Sequence, residues 1–234
     1  MINKVLLKQL ADDIGVALDG AALSRFDTYA EMLVETNKVM NLTGITEPDE
    51  IVIKHFIDSL ELLKYAVLPD GASVIDVGTG AGFPGLPLLI ARPDIKLTLL
   101  DSLNKRLSFL QGVLDECGLS AQIVHARAED GGQSKELRER FDIATARAVA
   151  PLNVLSEYLL PFVKVGGSMY ALKGTGEDIA SSANAIATLG GKHIKDYSYS
   201  LPNGDGRIIV YVKKISQSPT QYPRKAKKIT ANPL

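Results

Sequence analysis

One stretch of sequence decides the fold of this chain: Val74-Ile75-Asp76-Val77-Gly78-Thr79-Gly80-Ala81-Gly82-Phe83-Pro84-Gly85. A short β-branched run ends in glycines and passes into residues 84–91, which have helical character. Glycines at such a junction let the backbone turn tightly and approach a ligand at the start of a helix. The stretch therefore predicts the first strand–loop–helix unit of a nucleotide-binding α/β domain.

The glycine loop fits two nucleotide-binding signatures. Read as Gly80-x-Gly82-x-x-Gly85, it fits the dinucleotide fingerprint, and Asp101 follows at about the position of the acid that binds a ribose. Read as an acid followed by three alternating glycines, from Asp76 to Gly82, it fits the signature of S-adenosylmethionine enzymes. A match to the first pattern alone is weak evidence, so the surrounding sequence has to decide.

Three features favour S-adenosylmethionine. Asp76 lies inside the strand, where a dinucleotide fold usually has an apolar residue, and its carboxylate could pair with the ligand's ammonium group directly or through water. Glu129 follows the third predicted strand, where an adenine amino group could donate to it. The nucleotide domain also begins after about seventy helical residues and closes with a hairpin, an arrangement typical of methyltransferases.

Working outward, apolar strands alternate with helical stretches along the rest of the chain. The strands are predicted at residues 73–77, 96–101, 122–126, 141–146, 168–173, 193–200 and 207–212, and the helices at 84–91, 103–117, 133–140, 151–163 and 177–189. Nearly continuous apolar strands between helices indicate a parallel sheet that is buried on both faces. The last two strands flank residues 202–206, which contain turn residues and predict an antiparallel hairpin.

The predicted fold is a Rossmann-like, doubly wound α/β domain of the class I methyltransferase type, with a mostly parallel sheet and an antiparallel edge hairpin. Apolar residues at helical spacing predict three helices before it. We expect an N-terminal helical cap at 1–70, a methyltransferase domain at 71–214 and a basic C-terminal tail at 215–234. The tail is basic because it contains Arg224, Lys225, Lys227 and Lys228 and no acid. Together with Lys213 and Lys214 these residues carry +6, so the net charge of −1 leaves −7 for residues 1–212.

Composition narrows the class of protein further. Hydrophobic residues make up 46% and charged residues 23% of the chain, which suits a globular core. Cys117 is the single cysteine, so an internal disulfide is excluded, and its place in a predicted helix indicates a core residue. Charges interrupt the apolar residues at the start of the chain, and no apolar run approaches the ~20 residues of a membrane helix. We expect a cytoplasmic protein without a membrane contact or a metal site.

Several segments together resemble one family, the RsmG (GidB) 16S rRNA guanine-N7 methyltransferases. The similarity covers residues 30–234 and is carried by segments at 40–43, 54–60, 76–87, 100–110, 127–129, 141–148, 172–174, 222–225 and 233–234. Ala226 stands where the family usually has a glycine, which weakens inference about the conformation of the tail. The resemblance implies methyl transfer from S-adenosylmethionine to N7 of a guanine in small-subunit rRNA.

The resemblance also implies the cofactor contacts Gly78, Phe83, Ala128, Glu129 and Arg147. We add Gly80 from the loop and Asp101 from its place at the end of the second strand. Because N7 carries a lone pair and no proton, the reaction needs positioning and no obligatory general base. No residue is therefore assigned as catalytic with certainty; the positioning candidates are His55, Asp58, Arg147 and Lys173.

The candidate RNA contacts are cations, since Lys and Arg neutralise phosphates without reading sequence. They are Arg207, Arg224, Lys225, Lys227 and Lys228. Purely structural alternatives stay open for these residues. His55 and Asp58 could form a hydrogen-bond cluster in the cap, Arg207 could be a surface charge at a strand end, and the tail could be a solvated terminus. We expect a monomer whose partner is 16S rRNA or the small ribosomal subunit.

Three other functions remain open from the sequence. A small-molecule methyltransferase on the same fold would need neither the basic tail nor a basic groove. An NAD-dependent oxidoreductase would lack an acid at the position of Asp76. It should also contain a residue for hydride relay, and we find no such residue in the sequence. A non-catalytic nucleotide-binding module would bind the cofactor without turnover.

Overall fold

A computed structural model describes residues 1–234, and it contains a seven-stranded sheet with the strand order β3-β2-β1-β4-β5-β7-β6. The strands are β1 Ser73–Val77, β2 Lys96–Asp101, β3 Gln122–His125, β4 Phe141–Arg147, β5 Val163–Gly174, β6 Gly191–Ser200 and β7 Gly206–Lys214. The first five are parallel, while β7 runs antiparallel to β5 and β6. The predicted mostly parallel sheet with an antiparallel edge hairpin is confirmed.

The helices surround this sheet and also form the N-terminal cap. They are α1 Lys4–Asp13, α2 Gly20–Met40, α3 Pro48–Ile51, α4 Asp58–Tyr65, α5 Gly85–Ala91, α6 Asn104–Cys117, α7 Ala128–Gly131, α8 Leu152–Leu159, α9 Ala183–Thr188 and α10 Ala226–Ala231. Residues Val52–Ile57 form a π-helical turn between α3 and α4. Helix α2 begins where Asp19 accepts a hydrogen bond from the Ala22 amide, and it ends at Asn41 in the left-handed conformation. None of these helices is long and apolar enough to cross a membrane.

The core lies in two layers, one on each face of the sheet. The cap-side layer contains Val74 of β1 together with Phe26, Tyr29 and Phe56 of the cap. The opposite layer contains Ile75 of β1 and the apolar residues of α8. Neighbouring residues of β1 are thus buried on both faces, as expected of a central parallel strand. Because the cap and the sheet share one core layer, the division of the chain at residue 70 stays a prediction.

Three helices differ from the predictions, and tertiary contacts explain one of the differences. Residues 133–140, predicted as a helix, form turns, because the Arg138 guanidinium donates to the carbonyls of Gly132, Ser218 and Tyr222. The Lys214 ammonium is buried close by and also holds Ser218, so the start of the tail lies against the body of the protein. The predicted helix at 177–189 begins only at Ala183, after a 3₁₀ turn. The third cap helix is interrupted by the π-helical turn.

Candidate functional site

A cavity of about 510 Å³ lies at the carboxyl edge of the parallel strands. Its walls come from the ends of β1, β2, β3 and β4 and from the glycine loop that follows β1. This is the edge where open α/β sheets bind ligands, because the loops after parallel strands meet there. The lining residues include every predicted cofactor contact: Gly78, Gly80, Phe83, Asp101, Ala128, Glu129 and Arg147.

The glycine loop is held against the cap by a close contact with α2. Gly82 has φ +107°, a conformation that side chains rarely adopt, and a Cβ there would lie 2.6 Å from the Tyr29 hydroxyl oxygen. The Tyr29 hydroxyl donates a hydrogen bond to the neighbouring Ala81 carbonyl. Gly78 faces the loop after β4, where an added Cβ would lie 3.0 Å from Val149. Both glycines are therefore required by close packing as well as by backbone conformation.

Asp76 stabilises the glycine loop through hydrogen bonds and does not line the cavity. Its carboxylate Oδ2 accepts hydrogen bonds from the Thr79 hydroxyl at 2.7 Å and the Gly85 amide at 2.9 Å. The second oxygen, Oδ1, has no partner, and burial raises the pKa of this carboxyl to about 6. Of the two predicted modes, direct or water-mediated pairing with a ligand, the burial of the Asp76 side chain under the loop favours the water-mediated one, which stays a prediction.

Asp101 joins the glycine loop to the end of β2. The Gly80 amide donates to its Oδ2 at 2.9 Å, and the Leu103 amide donates to its Oδ1 at 2.9 Å. The Arg106 guanidinium lies 3.4 Å from the same carboxylate. Asp101 thus keeps a buried charge with several donors around it while it faces the cavity.

Glu129 places a second carboxylate on the cavity wall, at the end of β3. It lies in the first turn of the short helix α7 and is buried, with Ala128 beside it. Tyr158 of α8 lines the same wall, and its pKa is raised by burial and then by the charge of Glu129. This wall offers a carboxylate acceptor next to an aromatic ring, although sequence analysis identified only the carboxylate.

An aromatic stack connects the cap to the cavity. The Phe83 ring stacks with the His55 ring, with centroids 4.4 Å apart, and with the Tyr29 ring, at 5.4 Å. The Arg147 guanidinium lies over the Phe83 ring at 4.9 Å, within the range of a cation–π contact. The stack fixes Phe83, His55 and Arg147 with respect to one another at the mouth of the glycine loop.

Arg147 crosses from the end of β4 to the cap. Its Nη1 lies 2.9 Å from Asp58 Oδ2 and donates to the carbonyls of Lys54 and His55, at 3.1 and 3.4 Å. These carbonyls belong to the π-helical turn, and such turns are frequent at functional sites. The side chain is only 14% exposed, so the structure holds the guanidinium in one place between the cap and the sheet.

His55 is held in its neutral form. Burial, followed by the positive charge of Arg147, lowers the pKa of His55 to about 3. Its Nδ1 lies 3.3 Å from Arg147 Nη2 and its Nε2 lies 2.8 Å from the Thr43 hydroxyl. Because Arg147 can only donate, we assign the His55 proton to Nε2, where it donates to Thr43.

A second cavity, of about 520 Å³, adjoins the first. The two share the lining residues His55, Arg147 and Ala148. The other residues of the second cavity are Ile45, Lys54, Asp58, Leu172, Lys173, Gly174, Thr175, Gly176, Glu177 and Arg207. All four positioning candidates therefore lie at one place, between the cap and the ends of β4 and β5.

Lys173 and Arg207 differ in how firmly they are held in this second cavity. The Lys173 ammonium donates to the Ala150 carbonyl and lies 2.8 Å from Glu177 Oε2. Its side chain is 8% exposed, which leaves it little freedom to take a phosphate. The Arg207 side chain is 24% exposed and lies 3.5 Å from Asp58 Oδ1.

The tail is ordered and divides its cations between two environments. Arg224 forms a bidentate ion pair with Glu157, a fully buried residue of α8, with a shortest distance of 2.7 Å. Lys225 pairs with Asp130 on the surface. The structure thus places the Arg224 charge inside the protein, because it neutralises the buried Glu157. Lys227 and Lys228 are exposed on α10, and Ala226 at the start of that helix lines the first cavity.

Sequence analysis did not identify two residues that support the site, Thr43 and Glu157. Thr43 meets His55 across twelve residues, and Glu157 meets Arg224 across 67 residues. The charge of Glu157 inside the apolar face of a predicted helix was an available signal of a buried partner. No group of three or more His, Cys, Asp or Glu side chains is arranged to hold a metal ion.

This fold and this edge cavity are those of a class I methyltransferase. A SAM-dependent methyltransferase from Aquifex aeolicus superimposes with a TM-score of 0.55 and 17% identity, over 75% of this chain and 97% of that chain. TrmN from Thermus thermophilus gives a TM-score of 0.54 and 18% identity, over 70% and 53% of the respective chains. These similarities show the fold.

Sequence comparison then shows the family. The model of the GidB family, described as rRNA small subunit methyltransferase G, matches residues 22–209. Ribosomal RNA small subunit methyltransferase G of Alkaliphilus metalliredigens is 48% identical over 229 residues, which are 96% of each chain. The protein of the same name from Clostridium beijerinckii is 48% identical over 233 residues, which are 98% of each chain. This chain belongs to the rRNA small subunit methyltransferase G family, and the predicted family is confirmed.

Proposed function

We propose that this protein transfers a methyl group from S-adenosylmethionine to N7 of a guanine in small-subunit rRNA. The observation that carries the proposal is the cavity over the glycine loop, whose two acidic walls suit an adenosine, in a chain whose relatives are named for small-subunit rRNA methylation. When bound, S-adenosylmethionine supplies a methyl group on a sulfonium sulfur, which the N7 lone pair accepts as the sulfur becomes a neutral thioether. We further expect the enzyme to be cytoplasmic and monomeric.

The residues of the first cavity fit this cofactor. A volume of about 510 Å³ lies within the usual range for small-molecule sites. Carboxylates suit the hydroxyl and amino donors of an adenosine, so we assign Asp101 to the ribose and Glu129 to the adenine. The backbone of Gly78 and Gly80 would allow the close approach of the ligand, with Phe83 and Ala128 as apolar contacts. The unpartnered Oδ1 of Asp76 under the loop leaves one acceptor for a bound water.

The chain's own residues are suited to positioning the substrates and are not arranged for proton transfer. His55 is neutral, buried and already bonded to Thr43 and Arg147, so it has no free base for a substrate. Arg147 is fixed by Asp58 and by backbone carbonyls. The negative charge of Asp58 offsets the guanidinium, which lowers the electrostatic cost of a positive charge that moves close by. We assign His55, Asp58, Arg147 and Lys173 to positioning, with Lys173 acting through the loop after β4.

We assign the RNA contacts to exposed and half-buried cations around the cavities. Lys227 and Lys228 lie on α10, whose first residue, Ala226, lines the first cavity. Arg207 lines the second cavity. Lys225 can exchange its exposed partner Asp130 for a phosphate, because such surface pairs contribute little stability. We leave Arg224 out of the RNA surface, because its guanidinium is committed to Glu157.

Methyl transfer to rRNA tests the proposal directly. Small-subunit rRNA from cells that lack this protein would be incubated with labelled S-adenosylmethionine, both as naked rRNA and in whole subunits, and the labelled nucleotide would be mapped. We expect label at N7 of one guanosine with the wild-type protein and none with Arg147→Ala. Cofactor binding without transfer to either RNA would contradict the proposal, and it would favour a small-molecule substrate or a non-catalytic role.

A further inference from the structure

The second cavity is the place in this molecule where an acceptor base can meet a methyl donor held in the first. Transfer requires the reacting atoms to come within about 3.5 Å of each other, so the acceptor must lie in a space that opens onto the donor. The second cavity meets the first at His55, Arg147 and Ala148. The two other sizeable cavities are lined by residues of the N-terminal cap and share no residue with the first.

One glycine of the lining, Gly174, leaves open space at the second cavity. Gly174 ends β5 and pairs with Arg207 of β7, so a side chain at 174 would stand on the same face as Arg207. A Cβ built at Gly174 meets no atom within 4 Å, and the backbone there has an ordinary φ. The missing side chain therefore leaves a space beside Arg207 in which a flat ring can lie.

The rim of the second cavity carries two cations that can change partner. The Arg207 side chain is 24% exposed, and it lies 3.3 Å from Asp205, whose side chain is 44% exposed, and 3.5 Å from the buried Asp58. Lys54 pairs with Glu50 on the surface of the cap, where the Glu50 side chain is 48% exposed. The pairs with Asp205 and Glu50 are partly exposed and contribute little, so a phosphate can replace these carboxylates at small cost, while Asp58 stays paired with Arg147.

From these three observations we propose that the second cavity is the acceptor pocket for the target guanosine. The base leaves its stack in the RNA and lies over Gly174, with N7 directed past Ala148 toward the first cavity, while a flanking phosphate contacts Arg207 and Lys54. The proposal rests on the proposed function, and it adds the residues that receive the substrate. Lys173 lies on the opposite face of β5 from Gly174 and contributes by holding Ala150 and Glu177.

Filling the pocket tests its role. Gly174→Leu would place four carbons in the space for the base. Gly20→Leu is the matched control, because a Cβ at Gly20 also meets no atom within 4 Å. Gly20 lies in the cap, at the start of α2. We expect kcat/KM for rRNA methylation to fall about a hundredfold with Gly174→Leu and to change by less than about twofold with Gly20→Leu. Affinity for S-adenosylhomocysteine, measured by calorimetry, should stay within about twofold for both variants.

Each outcome of this comparison is decisive. If Gly174→Leu methylates rRNA as well as the wild type does, the second cavity is not the acceptor pocket, although the proposed function stands. If the wild type transfers no methyl group to rRNA, the proposed function fails, and the acceptor pocket fails with it. If Gly174→Leu loses its cooperative thermal unfolding, the smaller Gly174→Ala takes its place, with an expected loss of about tenfold and the same control on cofactor affinity.

The rim cation has a separate readout in RNA binding. Arg207→Gln should raise the dissociation constant for the rRNA substrate and reduce the slope of log affinity against log salt by about 1, as expected for one lost phosphate contact. Arg207→Lys should restore the slope. Lys192→Gln removes an exposed charge from the far end of β6 and is the control, with an unchanged slope. An unchanged slope with Arg207→Gln would remove the phosphate contact from the proposal.

Discussion

Arg147 Nη1 lies 2.9 Å from Asp58 Oδ2, in an ion pair with 14% and 5% of the respective side chains exposed. The other oxygen of Asp58 accepts a hydrogen bond from the Tyr199 hydroxyl at 2.9 Å and lies 3.5 Å from Arg207. One carboxylate at the start of α4 therefore ties the cap to β4, β6 and β7. It also lines the second cavity and pairs with Arg147, which lines both cavities, so the same contact supports the fold and the site.

Removing this carboxylate should destabilise the protein strongly. Asp58→Asn keeps the shape of the side chain but leaves two guanidinium groups without their buried counter-charge. We expect the free energy of unfolding to fall by about 3 kcal/mol, the usual cost of breaking a buried ion pair from one side. Urea denaturation at pH 7 measures it.

The control is the exposed pair of Lys8 and Asp12 on α1, whose side chains are about half exposed. Asp12→Asn should change the free energy of unfolding by less than about 1 kcal/mol. Equal losses for the two variants would mean that Asp58 and Arg147 behave as a surface pair.

The neutral state of His55 predicts a pH-dependent stability. Its pKa in the folded protein is about 3, below the ordinary value of 6.5, so the unfolded chain binds a proton that the folded protein excludes. This contribution is complete above pH 6.5 and is lost as the pH falls toward 3. The wild type should lose about 2 kcal/mol more stability than His55→Gln between pH 7 and pH 5.

Urea denaturation of both proteins at the two pH values gives this difference. The comparison with His55→Gln is needed because Asp76, with its pKa raised to about 6, responds in the opposite direction: its folded form gains stability as the pH falls. Parallel pH dependence of the two proteins would show that His55 takes up a proton in the folded state.

The glycine loop and the strands of the sheet could be predicted from the sequence, because local patterns determine them. The β-branched residues Val74, Ile75 and Val77 indicate a buried strand, and the glycines after them indicate a turn of the backbone. The run at 133–140 misled the prediction because its charged residues suit a helix locally. The conformation of that run is instead determined by Arg138, which reaches carbonyls about eighty residues further along the chain.

The cavity at the carboxyl edge of the sheet could be predicted, because its residues follow strand ends, which the topology brings to one edge. The contacts that hold the residues around the cavity could not be predicted. The pairs of Thr43 with His55 and of Glu157 with Arg224 depend on how the cap and the tail pack. The charge count assigned Arg224 to a basic tail, whereas packing buries its charge against Glu157. The π-helical turn at Val52–Ile57 also has no signature in composition or spacing.

Two neighbouring cations of the tail should respond very differently to substitution. Arg224→Ala leaves Glu157 fully buried without a counter-charge, so we expect a loss of about 3 kcal/mol in the free energy of unfolding. Lys225→Ala removes the same charge from an exposed pair and should leave the free energy of unfolding unchanged. Thermal and urea denaturation of the two variants provide the comparison, and similar losses would contradict the buried role of Arg224.

The exposed lysines of α10 should determine much of the salt dependence of RNA binding. The double variant Lys227→Gln, Lys228→Gln should reduce the slope of log affinity against log salt by about 1.5. The control is Lys192→Gln with Lys195→Gln, which removes two exposed charges from the edge strand β6. Fluorescence anisotropy with an rRNA fragment over a salt series measures the slopes, and equal slopes for the two double variants would separate α10 from the RNA surface.

The shared wall of the two cavities also matters for the design of inhibitors. His55, Arg147 and Ala148 line both spaces, so a fragment in each would end close to the other, and a short linker could join them. The second fragment would then bind at an effective concentration set by the linker, and two weak ligands would become one strong ligand. A stiff linker would lose less conformational freedom on binding than a flexible one. The adjacent cavities therefore favour a bivalent inhibitor over a ligand that fills only one of them.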